Sequence, residues 1–421
     1  MIAQVAHKLR AQIHHFSGKL SAGLCKPARR FVEEMIYGIQ ARGTVRLSDI
    51  ARSLEETTLL KKTVERLSRN LNRQELKNEV TKAVLHEGSS RVHDDTLLIV
   101  DTSDIKKKYA RKMEYLTEVR DGSEDVIHPG YSTCHVVGAE CGEASVIPLY
   151  QTLYSSIAPD FVSENNEILK AIGHVSNATS RRGIFVIDRG GDRGEIYRWI
   201  VPEKRRIRFI IRQRGDRHIF YRRQKVETLQ LAKRRCKMLY DAVFYKEDKK
   251  VEVKYRVQFG YVPVRLLKHP NVQLWMVVVK GFGKQPLMLL TNIPMRRKRK
   301  DLLWMIEAYI TRWKVEETIR FMKQSYNIED VRVLKYRRLQ NFATLLLAAA
   351  FFAAVYLGHR AKLKILVYRV LKAAKRIFGI PDFRYYAIAD GIKAILTRHS
   401  CGVIFKRGVS PPDHQLSLFA A

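Results

Sequence analysis

Tyr309, Arg312, Glu316 and Lys323 are spaced so that one carboxylate stands among an aromatic hydroxyl and two cations. On a helix turning about 100° per residue, these four positions fall within roughly a 60° sector, so they can act on one ligand. Arg320 joins the sector one turn after Glu316, and Met305, Ile306, Ile310, Trp313, Val315 and Ile319 supply the apolar remainder of a helix over about residues 300–324. A lone carboxylate in a positive field suits one wall of a metal-dependent phosphodiester site. A ladder of i, i+4 ion pairs, Arg312 to Glu316 and Glu316 to Arg320, accounts for the same spacing.

Two more carboxylates have a placement that could complete such a site. Asp101 follows the apolar run Leu97-Leu98-Ile99-Val100, and Asp188 follows Gly183-Ile184-Phe185-Val186-Ile187. Side chains leaving the carboxyl ends of neighbouring strands in an open α/β sheet share the edge where ligands bind. Three carboxylates without histidine or thiolate suit a hard cation such as Mg²⁺, and two such ions can activate an attacking oxygen and stabilise a leaving one. An aspartate at a strand end also serves as an ordinary turn former. Asp94 and Asp95 precede their strand and belong to its other end; Asp192 could orient a catalytic partner instead of holding metal.

The elements that must hold these groups are legible as changes of texture. Residues 1–90 read as helical, with an N-cap at Ser48 before Ile50, Ala51 and Leu54 and a second helix, 58–71, carrying Lys61, Lys62, Arg66 and Arg69. Such a pair resembles a helix-turn-helix unit, and a helical bundle with a basic surface explains it equally well. From Thr96 short apolar runs take over. The first run, His135-Val136-Val137 and the stretch 144–153 give three strands; then come a helix at 163–175, the strand ending at Asp188, a helix at 195–200 and a strand at 206–212. That is the order of a ribonuclease-H-like mixed sheet, and continuous apolar runs suit strands covered on both faces. Residues 213–291 are rich in β-branched and aromatic types and read as an inserted β subdomain. The expected division is therefore a helical DNA-binding region (1–90), a catalytic core (91–212 with 292–340), the β insertion (213–291), a helical C-terminal region (341–400) and a tail (401–421). Residues 342–357 form a 16-residue run too short to span a bilayer, which needs roughly 20, and read as a buried core helix; further helices are expected at 362–378 and 385–396.

Composition narrows the partners. The chain has 421 residues, 46% of them apolar, and a formal net charge of +35. That charge calls for a polyanion, and because the basic clusters recur along the chain, as at 204–208 and 296–300, nucleic acid is favoured over a membrane surface. Cys25, Cys134, Cys141, Cys236 and Cys401 form no C-x-x-C pair, which speaks against zinc and disulfide frameworks and fits a reducing cytoplasm. The first twenty residues are too polar for a signal peptide.

Taken together, these motifs resemble the DDE transposases of the insertion-sequence-four family. Tyr309, Arg312, Glu316 and Lys323 match its Tyr-x2-Arg-x3-Glu-x6-Lys signature at every spacing; Asp101 in Val-Asp-Thr-Ser-Asp and Asp188 in Val-Ile-Asp-Arg-Gly match its other two motifs. The resemblance covers about residues 95–345. It implies cut-and-paste transposition: hydrolysis at transposon ends, a hairpin made by the freed 3′-hydroxyl, hairpin opening and strand transfer. It implies Asp101, Asp188 and Glu316 as catalytic ligands of two Mg²⁺ ions, for which Mn²⁺ can substitute. Tyr309, Arg312, Arg320 and Lys323 would then contact DNA around a flipped nucleotide. Some relatives stack that base on a tryptophan in the last strand of the insertion, where this chain has Leu287 and Met288; Trp275 and Trp304 lie elsewhere.

Near the C-terminus, after Pro411-Pro412, Gln415-Leu416-Ser417-Leu418-Phe419 resembles the pentapeptide by which bacterial DNA-handling proteins bind the β sliding clamp. Gln415 would hydrogen-bond the rim while Leu416, Leu418 and Phe419 fill apolar pockets. The sequence thus leads to a transposase in the bacterial cytoplasm, at the nucleoid. Its expected partners are double-stranded DNA (terminal repeats and target), a second copy in the synaptic complex and the sliding clamp, with no membrane. A catalytically inactive DNA-binding regulator and a structure-specific nuclease are the alternatives.

Overall fold

The computed structural model describes residues 2–121, 126–248, 251–357, 368–371, 374 and 385–403. Five helices come first: α1 (Ile2–Leu20), α2 (Lys26–Arg42), α3 (Leu47–Ser53), α4 (Leu60–Asn70) and α5 (Leu76–Ser89). In α2 the periodic apolar residues Phe31, Val32, Met35, Ile36 and Ile39 are buried, Pro27 suits the first turn, and Gly43 stops the helix at φ 59° by donating its N–H to the Ile39 carbonyl. α3 starts one residue before the expected cap. The Arg46 carbonyl accepts the N–H groups of Asp49 and Ile50, which puts Ser48 inside the helix. On α4, Lys61, Lys62 and Arg69 are exposed, but Arg66 is drawn inward to donate to Glu34 (2.6 Å) and Glu56 (2.9 Å).

The sheet begins with β1 (Leu97–Lys106), β2 (Thr117–Asp121), β3 (Val126–Ala139) and β4 (Val146–Tyr154). Next come α6 (Glu164–Ala178), β5 (Ile184–Ile187), α7 (Gly194–Ile200) and β6 (Arg208–Arg212). Across the sheet the order is β4-β3-β1-β5-β6, with β3 antiparallel to both neighbours and β1, β5 and β6 parallel. This is the ribonuclease-H-like arrangement. Burial on both faces explains the unbroken apolar runs: every residue of β4 and β5 is buried.

The segment after β6 contains β7 (His218–Tyr221), β8 (Gln224–Glu227), a turn of helix α8 (Thr228–Gln230), β9 (Tyr240–Asp248), β10 (Val251–Leu266), β11 (His269–Lys280) and β12 (Leu287–Thr291). It does not stand apart as a second sheet. β12, all five of whose residues are buried, pairs antiparallel with β6 at Leu289↔Arg212 and Leu290↔Ile211, so the strands of the insertion continue the core sheet and cover what would be its open edge.

The chain returns as α9 (Arg299–Ile310), α10 (Trp313–Tyr326), α11 (Tyr336–Phe351) and α12 (Tyr385–Arg398). With the π turn that follows it, α11 is long and apolar enough to cross a membrane, yet 94% of its apolar window is buried within the protein. It packs against β4, α5 and α2. Its few polar contacts are satisfied there: Gln40 donates to the Ala349 carbonyl (2.7 Å), and Asn341 donates to the Leu71 and Arg73 carbonyls (2.8 Å each). Since α12 packs on α1 and α2, the N- and C-terminal helices form one bundle beside β4. The helix expected over residues 362–378 lies largely outside the described residues.

Candidate active site

β1 and β5 run parallel from Leu97↔Ile184 to Val100↔Ile187, so Asp101 and Asp188 are the next residues on adjacent strands. Strands so paired lie about 4.8 Å apart. Asp101 is not at a strand end, however. β1 continues to Lys106 because β3 pairs with it over ten residues, Asp101 facing His135, while β5 stops where Asp188 turns the chain. The Asp188 carboxylate caps that turn by accepting the Gly190 N–H at 2.6 Å. Gly191 lets the turn fold back, since a Cβ there would lie 2.6 Å from a methyl of Ile187. Asp94 and Asp95 sit at the opposite end of the sheet, beside Arg208 at 3.5 and 3.9 Å.

The helix expected to carry the other groups is broken. Thr311 and Arg312 separate α9 from α10: the Thr311 hydroxyl bonds back to the Glu307 carbonyl (2.8 Å), and the N–H groups of Lys314 and Val315 reach only three residues back. The break lies within the span of Tyr309, Arg312, Glu316 and Lys323, and Trp313 and Ile310, expected on the apolar side, are 51% and 37% exposed. Arg312 now bridges two of the carboxylates, 3.5 Å from Asp101 and 2.8 Å from Glu316. Glu316 stands in the first turn of α10, where the helix end favours negative charge. Tyr309 is buried at the end of α9 and accepts from Arg212 (3.4 Å). Lys323 lies 3.7 Å from Asp104 and 3.2 Å from Glu329, whereas Arg320 turns away from Glu316 to pair with Glu317 on the exposed side.

Electrostatics ties the three carboxylates together. Burial pushes the Asp101 pKa up to about 7; the Arg312 guanidinium opposes the shift, and the Asp188 and Glu316 charges reinforce it. An all-oxygen donor set, in which the Asp188 and Glu316 charges raise the pKa of Asp101, fits a hard divalent cation. The set is not closed into a ready-made cage: among the described residues no three Asp, Glu, His or Cys side chains converge as a metal cluster, and Arg312 stands between Asp101 and Glu316.

Residues 162–352 match the family model of the transposase DDE domain. The match supports a DDE transposase; it spans Asp188 and Glu316 and begins after Asp101. No curated protein sequence matches the chain at a significant level. Among solved structures, the chain is similar to one described as the cryo-EM structure of the piggyBac transposase synaptic complex with hairpin DNA. The identity is 9%, the likeness covers 94% of this chain and 80% of that chain, and the TM-score is 0.41.

One neighbour of these carboxylates was not apparent from residue types, and a second, Asp192, was expected to orient a partner. His135, opposite Asp101, is fully buried; its Nε2 lies 2.9 Å from the Thr133 hydroxyl, and burial with the nearby Lys323 charge pushes its pKa down to about 3, which keeps it neutral. Its signal was a lone polar residue at the head of the run His-Val-Val. Asp192 is buried and ion-paired with Arg217, and it accepts the Arg214 N–H at 2.8 Å. The turn that begins at Asp188 is thereby tied to the chain leaving β6. The Gln415–Phe419 motif lies outside the described residues.

Proposed function

We propose that this protein is a cut-and-paste DNA transposase that cleaves the ends of its own element, through a hairpin, and transfers them into target DNA. What supports this reading is the parallel pairing of β1 with β5, which makes Asp101 and Asp188 neighbours, together with Arg312, which contacts both Asp101 and Glu316. These three would hold two divalent ions, Mg²⁺ or Mn²⁺, which supply activation of the attacking oxygen and stabilisation of the leaving one. Arg312 and Lys323 hold DNA phosphates, as do Tyr309 through its hydroxyl and Arg320 from the exposed face of α10. Leu287 and Met288 are buried in β12, so base stacking during hairpin formation falls to another side chain. Two copies synapse two ends, and the protein works at the bacterial nucleoid.

The test is cleavage of a fragment bearing the terminal repeats, together with joining of pre-cut ends to a target, by the native chain and by Glu316→Ala in Mg²⁺. Both reactions are expected to fall by about three orders of magnitude or more in the variant. Undiminished activity in the variant overturns the site; cleavage by the native chain with no joining of pre-cut ends makes it a structure-specific nuclease, and duplex binding with neither reaction makes it an inactive regulator.

The proposal includes recruitment to replicating DNA, with Gln415, Leu416, Leu418 and Phe419 docking on the β sliding clamp. A peptide of the last dozen residues is expected to bind clamp in calorimetry, and Leu418→Ala with Phe419→Ala to abolish the heat. Absence of binding by the native peptide, with unchanged clamp pull-down after deletion of the tail, removes the clamp from the account.

A further inference from the structure

The hairpin of β7 and β8 has two arginines where its turn calls for asparagine and glycine. Pairing of Tyr221 with Gln224 leaves only Arg222 and Arg223 in the loop, and both have positive φ, 48° and 67°. A two-residue turn of this kind is the mirror-image type, in which ordinary side chains cost about 1 kcal/mol each relative to glycine. Folding alone does not select Arg-Arg there, and strain kept at such a position points to a use for the side chains.

The surroundings indicate what that use is. From Arg217 to Lys237 the chain has eight Lys and Arg residues and one carboxylate, Glu227. Arg222, Arg223, Lys225, Lys233 and Arg234 are exposed, and among the described residues none has a carboxylate at ion-pair distance. The turn at 231–235 lies against the hairpin, with Arg235 donating to the Gln224 side chain at 2.9 Å, so the two basic groups form one surface. The mount is rigid. β7 pairs with β10 at Ile219↔Leu266 and Phe220↔Arg265, Ile219 is fully buried, and Thr228 closes the base by donating its hydroxyl to the Gly215 carbonyl and its N–H to the Arg217 carbonyl, both at 2.8 Å. The hairpin starts at the residue after Arg217, which is paired with Asp192 in the turn after Asp188. The base of the hairpin is thereby tied to the turn that follows Asp188, while β8 is the outermost strand on that side of the sheet.

We propose that this hairpin is a prong that grips the phosphate backbone of duplex DNA, with Arg222 and Arg223 as its tip. The inference rests on the DNA reading above. A strand ladder whose tip and flank expose Arg222, Arg223 and Lys225, with Ile219 buried and Phe220, Tyr221 and Val226 only partly exposed, matches a linear array of phosphates better than a lipid surface.

The experiment measures binding of the full chain to a short random-sequence duplex across a salt series, without divalent ions, alongside thermal unfolding. Arg222→Asn with Arg223→Gly gives the turn the residues it prefers, so the thermal midpoint should hold or rise. Duplex affinity at physiological salt should nevertheless fall about tenfold or more, and the slope of log K on log salt should drop by nearly 2. Arg222→Lys with Arg223→Lys should keep most of both. Unchanged affinity and slope in the Asn-Gly variant overturns the prong, as does a stronger preference of the native chain for anionic phosphatidylglycerol vesicles than for duplex. Duplex binding with a normal prong effect but no cleavage by the native chain would remove the transposase reading and leave the prong standing.

Discussion

Asp101→Asn is expected to leave the protein at least as stable as the native chain above pH 7 while lowering DNA cleavage by about three orders of magnitude. The two effects have opposite signs because burial and the neighbouring carboxylates raise the Asp101 pKa from 3.8 to about 7. A carboxyl whose folded pKa is raised binds protons more tightly in the native state. It costs nothing below the unfolded pKa, costs progressively more as pH rises from about 4 to 7, and is fully penalised above that. Asparagine never ionises, so the variant escapes the cost, and Arg312 keeps its 2.8 Å contact with Glu316. Thermal unfolding of both proteins between pH 5 and 8 checks the sign: the native midpoint should fall relative to the variant's as pH rises. Added Mg²⁺ should raise the native midpoint above neutrality and leave that of Asp101→Asn nearly unmoved, because only a ligand that binds the folded site stabilises it. A variant that loses stability at high pH, or that still cleaves, would assign Asp101 to the scaffold.

The order of strands in the core was readable because each strand is short, apolar and bounded by turns. Asp188 was placed correctly beside Asp101 for the same reason: Ile184–Ile187 has no partner beyond its four buried residues, and the Gly-rich turn that follows cannot extend it. Asp101 was misjudged as terminal because Thr102-Ser103-Asp104 looks like a loop. What extends β1 is a ladder to β3, some thirty residues away, and no local propensity announces it. The helix break has the same character. Residues 300–324 carry helical periodicity throughout, and only the Thr311 back-bond and the three-residue hydrogen bonds of Lys314 and Val315 mark the interruption. The proposal that Glu316 acts with Asp101 and Asp188 rests on the Arg312 contacts and not on the continuous helix from which it was first argued.

Helical burial was legible where composition alone decides it. Residues 342–357 were read as a core helix, and although the helix proves long enough to span a bilayer, its apolar window is 94% buried and it is the hub on which α2, α5 and β4 pack. The division into terminal regions was not legible, since contacts between Gln40 and Ala349 or between Asn341 and Leu71 join residues about 300 positions apart. Nor was the fate of Arg66. Spacing put it among the exposed cations of α4, but buried Glu34 draws it inward, so Lys61, Lys62 and Arg69 are the cations that α4 presents.

Asp192→Ala should cost about 3–5 kcal/mol in stability, the range for breaking one partner out of a buried ion pair. The carboxylate is shut off from solvent by the chain that leaves β6: Arg217 pairs with it, the Arg214 N–H donates to it at 2.8 Å, and Arg217 also donates to the Asp192 carbonyl at 3.0 Å. Arg217 in turn lies 4.8 Å from the centre of the Tyr197 ring and is about one-fifth exposed, so the cost of the lost pair falls mainly on the surroundings of Asp192, which is buried. Asp192→Asn keeps an acceptor for the Arg214 N–H and should fold, which makes it the informative variant. With the turn after Asp188 less firmly held, cleavage should fall about 10- to 100-fold and the Mg²⁺ concentration for half-activity should rise, as when support of a metal ligand is removed. A double-mutant cycle with Arg217→Gln decides whether the pair acts as a unit. If it does, the double variant should be little worse than either single one, with a coupling of about 1–3 kcal/mol in stability and the same non-additivity in Mg²⁺ dependence. Additive losses, or a Mg²⁺ response unchanged in Asp192→Asn, would mean that the pair only closes the core and that Asp188 is held by its bond to Gly190 alone.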